Sequence, residues 1–152
     1  MNKLSVEVKN GILIFLGISI YFFIIKLLGA SDNHYLKLFN VVFVIWGLNR
    51  TIREQIKRGE TKFLKNFSSA VLTAFVGVFL SVVGLGVYLG LIQPDVSIES
   101  LADSILMPAS STSGVGQYCL ALFVEGFTSS AIVGFILMQH YKYARELNME
   151  IE

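Results

Sequence analysis

The sequence predicts an all-α integral membrane protein, a four-helix bundle forming a single membrane domain over residues 1–152. Two observations carry this. Of all residues, 54% are hydrophobic and only 15% are charged, with a mean hydropathy of +0.66, and a soluble fold this apolar would be hard to keep dispersed. The apolar residues also gather into four runs separated by polar segments. Once those runs are assigned to the bilayer, little chain remains for a separate soluble fold, so no extramembrane catalytic domain is expected.

Each run can be judged against the roughly 20 residues that a helix rising about 1.5 Å per residue needs to cross the hydrocarbon core. The first spans residues 11–28. Lys3 and Lys9 precede it, as in a secretory signal, but it is long for the apolar part of one. The plausible cleavage point after Ala30 would also put Leu28 at the −3 position, so an uncleaved anchor is expected. The second, an apolar stretch over residues 36–48 within a span of about 36–52, is the weakest, being short and carrying Lys37 and Asn40. It crosses only by running on as a helix through Arg50 toward Lys57, with Lys37 and Arg50 snorkelling to opposite interfaces. The third, residues 67–92, and the fourth, residues 118–138, are long and nearly uninterrupted.

Loop charge orients the helices, because Lys and Arg are retained on the cytoplasmic side. The loop over residues 50–66 holds Arg50, Arg53, Lys57, Arg58, Lys62 and Lys65, whereas the loop over residues 93–117 has no Lys or Arg and holds Asp95, Glu99 and Asp103. Lys3 and Lys9 before the first helix and Lys142 and Arg145 after the last agree with that bias. Both N and C termini are therefore expected to be cytoplasmic, in a multi-pass protein of the cell inner (cytoplasmic) membrane. Within the acidic outer loop, Ile98, Leu101, Ala102, Ile105 and Leu106 recur at helical spacing opposite Glu99, Ser100, Asp103 and Ser104. With Ser97 as N-cap and Pro108 as stop, this predicts a short amphipathic helix lying on the outer interface or capping the bundle. The Ser- and Gly-rich stretch after it, residues 109–116, reads as a connection, or as a hinge over a polar pocket.

Two kinds of residue within the spans stand out. Small side chains recur every four residues as Gly126, Ser130 and Gly134 on the fourth helix, and as Thr73, Gly77 and Ser81, then Gly86 and Gly90, on the third. Such faces let helix backbones approach closely, within the monomer or against a partner helix or second copy. Glu125 is the other, a carboxylate about 12 Å into the fourth span at helical rise and costly there unless paired, hydrated or neutralised. Lys26 and Asn40, near the outer ends of the first and second helices, and Ser129, one turn along from Glu125, make up its expected polar intramembrane cluster. The cluster is either a structural clamp joining helices one, two and four, or an outward-facing proton or cation site.

Enzyme signatures are poor. His34 and His140 fall on opposite sides of the membrane in the expected topology, and no zinc-protease, phosphate-loop, dinucleotide or cysteine–histidine zinc spacing occurs. The hydroxyl cluster Ser110 to Ser113 has nothing that brings His34 to it. Cys119, the single cysteine, excludes an internal disulfide and reads as a small packing residue. No catalytic residue, metal site or cofactor is expected, and the net charge of +1 gives no reason to expect nucleic acid as a partner.

The basic loop from Arg50 to Gly59-Glu60, Phe63 and Phe67 leading into the third helix, Tyr88 and Ile92-Gln93-Pro94 closing it, and a polar outer loop before the last span together resemble one known family. It is the four-helix membrane family catalogued as domain of unknown function 4199, found mainly in the Bacteroidetes. The resemblance covers nearly the whole chain but does not extend to Glu125. It implies a multi-pass inner-membrane protein and no assigned activity. Two functional readings follow from the residues: a non-catalytic accessory or assembly subunit that packs against other membrane helices, and a small proton- or cation-coupled transporter or channel using Glu125. Besides the lipid bilayer, the first reading implies a partner membrane protein or a homo-oligomer.

Overall fold

The computed structural model describes residues 5–28, 39–60, 62–92 and 114–150. Among them the chain is all-α: α1 (Val6–Leu27), α2 (Asn40–Lys57), α3 (Phe63–Val87), a π-helical turn (Tyr88–Ile92) continuing α3, and α4 (Val115–Glu150). The expected amphipathic helix near residues 98–106 lies outside the described residues. Three segments are long and apolar enough to cross a membrane: Val6–Leu27, Phe63–Leu91 and Val115–Lys142. α2 is not among them, because its last two turns carry Arg50, Arg53, Glu54, Gln55 and Lys57.

Local chemistry sets the helix ends. Ser5 caps α1, its side chain accepting from the Val8 amide at 3.4 Å, with Glu7 in the first turn. This cap starts the helix a turn before the apolar run and so brings Asn10 into the bundle. α2 stops in a Schellman turn: the Gly59 amide donates to the Ile56 carbonyl at 2.9 Å and the Glu60 amide to the Gln55 carbonyl at 3.1 Å. Gly59 sits at φ 85°, which a side chain would strain. The π-helical turn follows Gly84 and Gly86 and contains Gly90, where the lack of side chains weakens the α-helical ladder.

Contacts run antiparallel throughout. The start of α1 meets the end of α2 through Asn10 and Thr51, the end of α2 meets the start of α3 through Gln55 and Ser69, and Arg53 of α2 reaches Tyr141 near the end of α4. The amino end of α1 and the carboxyl half of α4 therefore share one end of an up-down-up-down bundle. α2 and α3 pack against each other and against both remaining helices, leaving α1 and α4 on opposite flanks. The apolar core lies between them, with Ile14, Val44, Leu48, Ile52, Ala70, Ala74 and Met138.

Ile14 is the wedge of this core. An added Cβ on Gly47 would lie 2.3 Å from its Cγ1, and one on Gly77 would lie 3.0 Å from its Cγ2, so both glycines hold open the notch it fills. On the far side, α3 and α4 interlock through phenylalanines. Phe75 and Phe79 stack on each other, as do Phe123 and Phe127, and the two stacks meet edge to face at 5.8 to 6.2 Å. A second group, Phe63, Phe67 and Phe135, repeats the contact toward the other end. Large apolar side chains such as Ile20, Phe23, Trp46, Leu72, Leu120, Ile132 and Ile136 remain exposed on the outside, as suits a surface facing lipid.

Candidate functional site

Glu125 lies mid-helix on α4, beside Gly126, whose added Cβ would lie 3.2 Å from Val78 of α3. The residue is half-buried, and its Oε2 is sealed from the surface with no hydrogen-bond partner among the described residues. An ionised carboxylate can only accept, so this oxygen calls for a donor that the described residues do not supply. In a low-dielectric place that lack is costly.

Among the described residues, no hydrogen bond joins Glu125 Oε2 to Lys26, Asn40 or Ser129. Lys26 donates to the Tyr88 hydroxyl, and its Nζ lies 4.6 Å from the centre of that ring. The cause is the packing order, because Lys26 stands on α1 and Glu125 on α4, the two flanking helices. Asn40, on α2, is half-buried and its Oδ1 also has no donor, while Ser129 is exposed. The clamp between Lys26 and Glu125 is thus corrected to a Lys26–Tyr88 contact between α1 and the π-helical turn.

The small residues are used mainly inside the monomer. Gly126 faces Val78, and Gly134 sits against Ala70 and Leu48 at ordinary contact distance. Ser130 is buried between them and donates to the Gly126 carbonyl at 2.6 Å. Thr73 and Gly77 face α1 and α2, and Ser81 donates back to the Gly77 carbonyl at 2.8 Å. Gly86 meets Cys119, the half-buried thiol filling the gap left by the missing side chain. Gly90 has none of the described residues within 4 Å of an added Cβ.

A buried polar knot, by contrast, was not legible from the sequence. Asn10, Thr51 and Thr73 are each 0% exposed. The Asn10 amide donates to the Thr51 hydroxyl at 3.0 Å, and the Thr51 and Thr73 hydroxyls are 3.0 Å apart. One turn toward the helix ends, Gln55 donates to Glu7 at 2.8 Å and to Ser69 at 3.0 Å. The available signal was the i, i+4 pairing of polar residues on neighbouring helices, Thr51 with Gln55 and Ser69 with Thr73, on faces otherwise apolar.

The basic loop divides into paired and unpaired groups. Arg50 donates to Glu54 at 3.1 Å, Lys65 bonds Glu60, and Arg53 donates to Tyr141 at 2.9 Å. Tyr141 in turn donates to Asn49, tying α4 to α2. Lys57, Arg58 and Lys62 are exposed, with no ion pair among the described residues. The described residues hold no group of His, Cys, Asp or Glu able to bind a metal ion. No family model matches this chain, and no curated protein or solved structure matches it either.

Proposed function

We propose that this chain is a small proton- or cation-coupled transporter or channel of the inner membrane, with Glu125 as its binding group. The carrying observation is the Glu125 Oε2, sealed within the bundle without a donor on a helix apolar enough to cross a membrane. A proton or a small cation satisfies such an oxygen without the room that a donor side chain needs. Lys26 is held by Tyr88 on the opposite flank, which supports a binding role over a structural clamp.

In this reading the chain passes four times. α1 carries it away from the end holding Arg53, Lys57 and Arg58, α3 starts again from that end, and α2 is the segment that returns it. Collection of Lys and Arg at that end supports cytoplasmic placement for both termini. The assembly reading keeps one observation in its favour, since Gly90 stands exposed in the π-helical turn and an added Cβ there would meet none of the described residues within 4 Å.

A hydrophobic carbodiimide tests the binding role directly, because it modifies protonated carboxyls that face the membrane interior. Wild-type protein in liposomes should gain an adduct mapped to Glu125, and Glu125→Gln should not. Modification confined to the acidic residues outside the helices would sink the reading.

A further inference from the structure

The turn between α2 and α3 carries an inference independent of Glu125. Its backbone is fixed by the Schellman bonds at Gly59 and Glu60. Asn66, buried on α3, fixes it again by donating to the Glu60 carbonyl at 2.9 Å. The nearby acids are already committed, Glu54 to Arg50 and Glu60 to Lys65. What the rigid turn presents outward is Lys57, Arg58 and Lys62, all exposed. Directly beside them Ile56 is 41% and Leu64 72% exposed, apolar surface suited to acyl chains.

From this geometry we propose that the α2–α3 turn is a binding site for the headgroup of an anionic phospholipid, with Lys57, Arg58 and Lys62 around the phosphate and Ile56 and Leu64 against the chains. Three cations without an ion pair among the described residues give the charge complementarity, and the backbone bonds at Gly59 and Glu60 limit the freedom lost when the lipid arrives. The inference rests on this turn lying at the membrane surface.

The test uses the full chain in detergent, with lipid retention read by native mass spectrometry and thermal unfolding followed alongside. Phosphatidylglycerol should be retained over phosphatidylcholine, and the preference should shrink at high salt. At about 1 kcal/mol per basic residue near a charged surface, K57Q/R58Q/K62Q should weaken phosphatidylglycerol retention on the order of 100-fold. The charge-keeping K57R/R58K/K62R should retain it, which separates loss of charge from loss of fold. Should the neutral variant not fold, the salt dependence of the wild-type preference decides. Equal retention of the two lipids by wild type, undiminished retention by the neutral variant, or displacement of the lipid by millimolar inorganic phosphate would each overturn the proposal.

Discussion

Thr51 has one hydroxyl proton and three polar partners around it: the Gly47 carbonyl at 3.1 Å, the Thr73 hydroxyl at 3.0 Å, and the amide of Asn10 at 3.0 Å, whose own Oδ1 has no donor among the described residues. It can donate once and accept the rest, so it is the shared member of the knot joining α1, α2 and α3. Thr51→Val keeps the shape and removes that hub. The expected loss is about 0.6 to 1.7 kcal/mol, the range found for hydrogen bonds between membrane helices. Thr73→Val added to it should cost less than Thr73→Val alone, because the two hydroxyls share a bond. Additive losses in detergent unfolding would show that the hydroxyls do not act together. Of the knot, only Thr73 was read from the sequence, and then for its size. Asn10 and Thr51 flank or interrupt apolar runs, and which helix faces meet is decided by tertiary packing that a hydropathy pattern does not contain.

Among the elements, the notch that seats Ile14 sets how closely α1, α2 and α3 approach. Ile14 is 1% exposed and is gripped from both sides, so it cannot retreat from a Cβ added on Gly47. Gly47→Ala should therefore destabilise by about 1 to 3 kcal/mol, the usual cost of overfilling a packed core. Ile14→Val in the same chain should return part of it, and a neutral Gly47→Ala would mean that the helices separate freely there. Gly77 was anticipated from its four-residue spacing, whereas Gly11 and Gly47 belong to no such repeat. The mistaken Lys26–Glu125 pair has a related cause. In a square bundle the first and last helices are neighbours, but here α2 and α3 pack across the short diagonal and hold them apart. Helix lengths placed both side chains toward the same end; the order around the bundle is not written in them.

At the scale of the molecule, side-chain hydrogen bonds tie the helices at both ends. Among the described residues, Glu7, Gln55, Ser69 and Tyr141 make them at one end, and Lys26–Tyr88 joins α1 to the π-helical turn toward the other, beside aromatic contacts. The all-α class and three apolar helices were legible because hydropathy and length alone specify them. α2 is the shortest and least apolar run in the sequence, and it is the helix that is not long and apolar enough by itself to cross a membrane. Reporter fusions after Arg58 and at Glu152 should both read cytoplasmic, and one after Ser111 external; a tag at the N terminus that reads the side opposite to Arg58 would remove α2 as a pass. The most direct test of Glu125 as the binding group is flux in liposomes, with unfolding in detergent measured on the same preparations. Glu125→Gln should unfold within about 0.5 kcal/mol of wild type, since no partner is lost, and should abolish proton- or cation-dependent flux. A Glu125→Gln protein that is fully stable and still carries the wild-type flux would contradict the account.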